Sequence, residues 1–267
     1  MIISDKYRFC FIHVPKCAGT SVRGSLRPFD DTQGRFTGYV GEHEVLGPLD
    51  YVHIPLKVLR EHFNTEYEKI KSYQSFAVVR DPYSRFPSSL AQRLNRYGEK
   101  PVHEMSKQEI TKALDEVISF LCEYGDADVL PPDYIHFQKQ SSYLFDQGLK
   151  LIDKIYLTDD IENLLMDIGN IIGEDLVSEG VMNNTHANKT MIYKSEFMKN
   201  CWPVLRALLS WSGNLLPKSL KQSIRNNIYT SLHYSLMDVF ESDHVRSFVK
   251  DYYSVDIDFY ASIATDK

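Results

Sequence analysis

Residues 8–21 read RFCFIHVPKCAGTS, and residues 75–89 read SFAVVRDPYSRFPSS. Each stretch begins with β-branched and aromatic residues, which predicts a short strand buried on both faces, as in a parallel sheet. The first strand leads through a turn of small residues into a segment that can start a helix. The second ends at Arg80, after which Asp81 can act as N-cap and Pro82 as the first helical residue. Both stretches therefore predict strand–turn–helix units.

The same alternation recurs later in the chain. KIYLT at 154–158 predicts a third strand, and Asp159 and Glu162 predict the start of a helix that ends near Gly173. Strands that alternate with helices indicate an α/β fold with a doubly wound parallel β-sheet flanked by helices. In such a sheet, ligands bind at the C-terminal ends of the strands.

Helix signals fill the segment between the second and third strands. Ser106 and Glu109 form a capping box ahead of an apolar-periodic run, and Pro131-Pro132-Asp133 predicts the start of another helix. Pro87 falls inside the helix that follows Asp81, which predicts a kink or a broken first turn.

The C-terminal part is predicted to be mostly helical from about residue 195, after loop signals over 178–190. We expect one domain spanning 1–267, in which about 195–240 forms a helical cap or insertion. A less favoured reading makes 201–225 an interfacial helix that contacts a membrane or a lipid-like substrate. Two prolines shorten any helix in that region and argue against this reading.

Composition and charge limit the function classes. The 267 residues are 43% hydrophobic and 25% charged, which is enough apolar material for a core. The net charge of −6 argues against a nucleic-acid-binding protein, but a local pocket can still be basic. No segment has the pattern of a signal peptide or the roughly 18 apolar residues of a membrane span, so we expect a cytoplasmic protein. The cysteines lack zinc or C-x-x-C spacing and are predicted to be free thiols: Cys10, Cys17, Cys122 and Cys201.

The segment VPKCAGTS is a candidate phosphate-binding loop. Gly19 allows the backbone to approach an anion closely, and the amides of a following helix N-terminus supply donors. Thr20 and Ser21 add hydroxyl groups, and Lys16 adds a positive charge. The alternative is an ordinary strand-to-helix turn with an exposed lysine.

Nucleotide triphosphatases and kinases are the main competing class. Their loop reads G-x-x-x-x-G-K-[ST], with a lysine directly after the second glycine. Here no lysine follows Gly19, and Lys16 lies before it. No strand ends in a clear metal-binding aspartate, which also disfavours this class.

Arg80 and Ser88 form a second candidate anion site. An arginine at a strand end and a serine on the next helix can hold a phosphate together, by guanidinium and hydroxyl groups. The alternatives are an ion pair between Arg80 and Asp81 and a structural role for Ser88.

Together, FIHVPKCAGTS and FAVVRDPYSRFPSS resemble the sulfotransferases that use 3′-phosphoadenosine 5′-phosphosulfate (PAPS). The branch concerned contains carbohydrate 2-O-sulfotransferases and bacterial relatives, and the resemblance is clear over about 8–95. It implies a P-loop-like fold and transfer of a sulfuryl group from PAPS, the co-substrate, to an acceptor hydroxyl, with no metal. A nucleoside-phosphate kinase-like phosphotransferase and a non-catalytic nucleotide-binding protein remain as alternatives.

The resemblance also implies roles for individual residues. Lys16 would stabilise charge on the leaving phosphate, the loop would hold the 5′-phosphate, and Arg80 and Ser88 would hold the 3′-phosphate. Lys189 would close over the nucleotide. The implied nucleotide-binding residues are Lys16, Cys17, Ala18, Gly19, Thr20, Ser21, Arg80, Ser88 and Lys189.

A catalytic histidine lies between the two nucleotide motifs in members of this family. His53 precedes an apparent helix, and we predict it as the general base that takes the proton of the acceptor hydroxyl. His43, Glu42 and Glu44 are alternative bases, and a purely structural role for His53 is a further alternative.

The acceptor side is less specified, and a sugar, a lipid headgroup or a small metabolite would fit the resemblance. His136 is a candidate for lining the acceptor pocket, whereas His13 is predicted to be structural. Arg85, Arg93 and Arg96 are predicted to form the solvated side of their helix, with an anionic substrate as the alternative.

Overall fold

Short apolar strands build the centre of the molecule. The structure is a computed structural model that describes residues 1–36, 38, 40–177, 191–193, 229–231 and 237–265. Its strands are β1 (Ile2–Ser4), β2 (Phe9–Ile12), β3 (Val40–His43), β4 (Gly47–Asp50), β5 (Gln74–Val79), β6 (Phe145–Asp146), β7 (Leu149–Lys150), β8 (Lys154–Leu157), β9 (Met191–Tyr193) and β10 (Tyr229–Ser231).

Helices follow the strands and cover the sheet. They are α1 (Gly19–Leu26), α2 (Leu56–His62), α3 (Asn64–Ser72), α4 (Pro82–Tyr97), α5 (Lys107–Tyr124), α6 (Ile161–Ile172), α7 (Met237–Phe240), α8 (Asp243–Tyr252) and α9 (Ser254–Thr265). Short 3-10 helices occur at Arg27–Phe29, Val102–Glu104, Ile135–Phe137 and Gln140–Tyr143.

The central sheet has the strand order β1-β2-β5-β8. The strands β2, β5 and β8 run parallel, with Phe11 opposite Phe76 and Val79 opposite Leu157. This confirms the predicted parallel α/β sheet. Because parallel strands end at the same edge, the residues that follow β2, β5 and β8 meet there.

Strand β1 was not predicted and pairs antiparallel with β2 at the sheet edge. It contains only three residues before the charged Asp5 and Lys6, so no alternation develops along it. Its side chains are nevertheless buried, because the rest of the fold covers the edge.

The buried apolar residues form two hydrophobic clusters. One surrounds the sheet, and the other joins α4 to α5 and α8. Phe86, Leu90 and Leu94 of α4 belong to the second cluster. The opposite face of α4 is therefore available to the strand ends.

The predicted helix signals are confirmed at α4 and α5. The carboxylate of Asp81 accepts hydrogen bonds from the backbone N–H groups of Tyr83 and Ser84, and the capping box of Ser106 and Glu109 is complete. Pro87 does not break the first turn of α4, which is one helix capped at Asp81, and the kink that Pro87 could cause stays a prediction.

Two other helix predictions were wrong in detail. The segment after Pro131-Pro132-Asp133 forms only the 3-10 helices Ile135–Phe137 and Gln140–Tyr143. At α6 the N-cap position is occupied by Asp160 rather than Asp159, without a capping side-chain hydrogen bond, although α6 does end at a left-handed Gly173 as predicted.

Several predictions fall outside the described residues. These are the loop over 178–190, most of the proposed cap over 195–240, the interfacial reading of 201–225, Lys189 and Cys201. The described cysteines, Cys10, Cys17 and Cys122, are free thiols. Within the described ranges, no helix is long and apolar enough to cross a membrane.

Candidate functional site

The ends of β2, β5 and β8 open into a cleft with a volume of about 420 Å³. Each strand contributes the residues directly after it, and α1, α4 and α6 contribute their first turns or inner faces. The cleft is lined by His13, Lys16, Ala18, Gly19, Thr20, Ser21, His53, Arg80, Ser88, Gln92, His136, Thr158, Asp159 and Ile161. Most of these side chains are polar, so the cleft suits a polar, anionic ligand.

The loop after β2 bends sharply into α1. Lys16 and Ala18 adopt left-handed backbone conformations with φ of 63° and 58°, which are uncommon for residues with a Cβ. Ala18 is the N-cap, and its side chain provides no capping group. The first N–H groups of a helix have no partner within that helix, so the start of α1 presents donors and a partial positive charge to the cleft.

Gly19 has a packing role that the sequence analysis did not predict. A Cβ on this residue would lie 2.0 Å from Cδ2 of His13, well inside contact distance. The absence of a side chain at Gly19 therefore allows the His13 ring to lie against the loop.

Lys16 is half-buried beside the loop, and its Nζ donates a hydrogen bond to Oε1 of Gln92 at 3.2 Å. Burial, together with the nearby guanidinium of Arg80, lowers the pKa of Lys16 to about 8. The ammonium group is thus poorly compensated by the protein, and an anion in the cleft would stabilise its charge.

Arg80 follows β5 and is held in place from several sides. Its Nε donates to Oγ of Ser84 at 3.0 Å, and its backbone N–H and C=O both pair with the side chain of Gln140. The alternative ion pair with Asp81 does not form within the described residues. Ser84, Ser88 and Gln92 are spaced four residues apart and so share one face of α4, with Ser88 and Gln92 lining the cleft.

Three buried histidines lie together at the other side of the cleft. The ring centroids of His13 and His53 are 4.5 Å apart, and those of His53 and His136 are 5.4 Å apart. Nδ1 of His53 lies 3.1 Å from the carbonyl oxygen of His13. Because a carbonyl can only accept, Nδ1 of His53 carries the hydrogen and Nε2 carries the lone pair.

Burial keeps these imidazoles neutral. It lowers the pKa of His53 well below 6.5, with His136 as the next cause, and it lowers the pKa of His13 in the same way, with His53 as the next cause. Burial and the charge of Lys16 lower the pKa of His136 to about 3. Nδ1 of His136 is buried without a hydrogen-bond partner among the described residues.

The backbone of His53 is anchored at both ends. Its N–H donates to the carbonyl of Asp50 at 3.1 Å, and the hydroxyl of Tyr143 donates to its carbonyl at 3.3 Å. The alternative base His43 lies in β3, where its Nδ1 accepts backbone N–H groups and its ring contacts His62. His43, Glu42 and Glu44 are not among the residues that line the cleft.

Comparison with known families gives a match to the model described as "Sulfotransferase family", over residues 1–261. The chain belongs to the sulfotransferase family. No curated protein matches, and no solved structure matches. The matched range contains all three strands whose ends form the cleft, so the cleft lies within the part of the chain that defines this transferase family.

Among the residues that the structure describes, the cleft brings together all those predicted for the site except Cys17. The thiol of Cys17 is buried below the loop and donates a hydrogen bond to Oε1 of Gln140 at 3.1 Å. Burial raises the pKa of this thiol to about 12, so it stays protonated. Gln92, Thr158 and Asp159 also line the cleft but were not predicted as site residues.

Their positions explain why they were missed and how they could have been found. Gln92 lies one helical turn after Ser88, and Thr158 and Asp159 directly follow the third predicted strand. A position directly after a strand and an i+4 spacing from Ser88 are the signals that could have identified them, but none of these residues belongs to either of the two motifs. His13 was predicted to be structural, yet it both packs in the interior and lines the cleft.

The prediction for Arg85 was wrong. Its side chain is 1% exposed, and its guanidinium donates to the backbone carbonyls of His136 at 3.1 Å and Gln138 at 3.0 Å. The 3-10 segment supplies these acceptors, which makes burial of the arginine tolerable. Arg96 is exposed near Asp50, as predicted, whereas Arg93 is only 19% exposed, with its guanidinium over the ring of Tyr134 and near Asp133.

Proposed function

We propose that the cleft binds PAPS and that the protein transfers the sulfuryl group to the hydroxyl of a carbohydrate or a small alcohol. The observation that carries this proposal is the composition of one cleft. A helix N-terminus, Lys16 and Arg80 lie along one part of it, and the neutral imidazole of His53 lies along another. The first set suits an anionic donor, and the second suits a proton acceptor.

The residues present fit a nucleotide that carries two separate phosphate groups. The amides at the start of α1, with the hydroxyls of Thr20 and Ser21, would hold the 5′-phosphate. Arg80 and Ser88 would hold the 3′-phosphate, since the guanidinium and the hydroxyl line the same cleft. The uncompensated charge of Lys16 supports an anion between these two sites.

When bound, PAPS supplies an activated sulfuryl group whose leaving group is adenosine 3′,5′-bisphosphate. In the proposed reaction the acceptor oxygen forms a bond to sulfur while the bond from sulfur to the bridging phosphate oxygen breaks. Lys16 stabilises the negative charge that develops on the leaving phosphate. The loop and Arg80 hold the nucleotide in line with the incoming oxygen.

His53 takes the proton of the acceptor hydroxyl at Nε2. Its Nδ1–H stays bonded to the carbonyl of His13, which fixes the tautomer and the direction of the lone pair. A buried imidazole of low pKa is always ready to accept a proton but is a weak base. The negative charge of a bound donor would raise its proton affinity, so His53 becomes an effective base only in the loaded cleft.

Isothermal titration calorimetry with adenosine 3′,5′-bisphosphate, without magnesium and with ATP as the comparison ligand, tests the nucleotide site. We expect binding of the bisphosphate in preference to ATP. Magnesium-dependent ATP binding without bisphosphate binding would instead support the kinase-like phosphotransferase. Bisphosphate binding without turnover on any acceptor hydroxyl would support a non-catalytic nucleotide-binding protein.

Arg80→Ala tests the 3′-phosphate site against Arg93→Ala, a matched change at an arginine of α4 outside the cleft. Loss of a charge-assisted hydrogen bond to phosphate should weaken bisphosphate binding by about tenfold or more in Arg80→Ala only. An equal effect of both variants, or no effect of either, would contradict the proposed role of Arg80.

A further inference from the structure

The side chain of Gln140 joins the two halves of the nucleotide cleft without lining it. Its Oε1 accepts from the backbone N–H of Arg80 at 3.0 Å, and its Nε2 donates to the carbonyl of Arg80 at 2.9 Å. The same Oε1 accepts from the thiol of Cys17 at 3.1 Å. The side chain of Gln140, only 2% exposed, therefore ties the phosphate loop to Arg80, the residue directly after β5.

A residue of the C-terminal helix α9 holds Gln140 in place. It begins the 3-10 helix Gln140–Tyr143, whose first N–H groups need acceptors from elsewhere. Asp256 of α9 supplies them, with Oδ2 accepting from the N–H of Gln140 at 2.7 Å and Oδ1 accepting from the N–H of Ser141 at 2.8 Å. Asp256 is 2% exposed, so water does not compete for these bonds.

These contacts form a continuous path from α9 to the cleft. Asp256 holds the backbone of Gln140, and Gln140 holds the backbone of Arg80 and the thiol of Cys17. No residue of α9 lines the cleft itself. The path is made of hydrogen bonds between buried groups, and a buried hydrogen bond has a narrow range of favourable geometry.

We infer that Gln140 and Asp256 are positioning residues for the nucleotide, and that the C-terminal helix α9 sets the spacing between the phosphate loop and Arg80. The inference rests on the proposed PAPS site and extends it to residues that do not touch the ligand. Two anion sites on separate elements bind one nucleotide well only if the distance between them is fixed. Gln140 fixes that distance because it bonds to both elements.

Gln140→Met is the direct test, because methionine has a similar length but cannot pair with Arg80. Gln138→Met is the matched control. Gln138 is also buried, at 3% exposure, and its amide bonds to Leu130 and Ser142 rather than to the cleft. Both changes remove buried hydrogen bonds from the same segment, so both should lower the unfolding temperature.

Only Gln140→Met should weaken the binding of adenosine 3′,5′-bisphosphate, by about tenfold or more, while leaving the KM of the acceptor near that of the wild type. Bisphosphate affinity within twofold of the wild type in folded Gln140→Met would overturn the inference. So would equal losses of affinity in Gln140→Met and Gln138→Met, because that result would indicate general destabilisation.

Asp256→Asn provides an independent test if Gln140→Met does not fold. Asparagine keeps the shape but has one acceptor oxygen instead of two, and Asp258→Asn on the exposed side of α9 is its control. We expect weaker bisphosphate binding in Asp256→Asn only, and equal affinities in the two variants would refute the role of Asp256. Failure of the wild type to bind bisphosphate would instead refute the proposed nucleotide site itself.

Discussion

Acidification from pH 7.5 to 5.5 should destabilise the folded protein through its three neutral buried histidines. His13, His53 and His136 have pKa values lowered by burial, that of His136 to about 3, so none takes up a proton in this range. In the unfolded chain each imidazole titrates near its ordinary pKa of about 6.5. The unfolded state therefore binds more protons, and stability falls as the pH drops through about 6.5 towards the folded pKa.

The size of the effect follows from this difference in proton binding. Between pH 7.5 and 5.5, a group with a pKa of about 6.5 in the unfolded chain alone changes the free energy of unfolding by about 1.4 kcal/mol. Three such groups give about 4 kcal/mol, which is a large part of the 5–15 kcal/mol typical of a folded domain. Most carboxyl groups remain ionised over this range.

Urea unfolding of the wild type and His136→Gln at pH 7.5, 6.5 and 5.5 measures the effect. The substitution can change stability at every pH. The decrease in the free energy of unfolding between pH 7.5 and 5.5, however, should be smaller than in the wild type by about 1.4 kcal/mol. His244→Gln, at an exposed position, controls for removal of an imidazole in general. Two results would refute the assignment of these histidines as buried and neutral. One is a decrease in the free energy of unfolding below about 1 kcal/mol in the wild type, and the other is an equal decrease in the wild type and His136→Gln.

Further predictions concern the loop and the base. Lys16→Ala should lower kcat by on the order of 10²-fold with an unchanged circular dichroism spectrum, and near-normal turnover would refute its role at the leaving phosphate. Bisphosphate affinity of the wild type should fall as the pH rises through about 8, where Lys16 loses its charge, and calorimetry should find a weaker dependence in Lys16→Ala. His53→Gln should lower kcat by on the order of 10²-fold without changing bisphosphate affinity; parallel losses would indicate a structural role instead. Gly19→Ala should reduce the free energy of unfolding by about 1–3 kcal/mol, because its Cβ would overlap the ring of His13, and unchanged urea unfolding would contradict that packing.

The side of the cleft that we propose binds the nucleotide could be predicted because its signals are local in the chain. Lys16, Gly19 and Ser21 lie within one strand–turn–helix unit, and Arg80 and Ser88 lie within another. The parallel pairing of β2 with β5 then brings the two units to the same edge of the sheet. Such units can be predicted from the sequence, because runs of apolar residues and helix-capping residues act through their immediate neighbours in the chain.

The burial of Arg85 could not be predicted in this way. Its sequence neighbours suggest a polar face of α4, whereas the carbonyls of Pro15, His136 and Gln138 make an interior position acceptable. Segments distant in the chain supply those acceptors. The same reason explains the unpredicted partner of Lys16, since Gln92 lies in a different element.

The sequence by itself determined the strand–turn–helix units at 8–26 and 75–97, the helix starts at Asp81 and Ser106, and the residues that we propose bind the anions. These features depend on contacts within about one turn or one strand. Only the tertiary structure decided which histidines share the cleft, which tautomer His53 adopts, and how Asp256 reaches Arg80 through Gln140. Burial and hydrogen bonding between distant segments control those properties, and both exist only after the chain has folded.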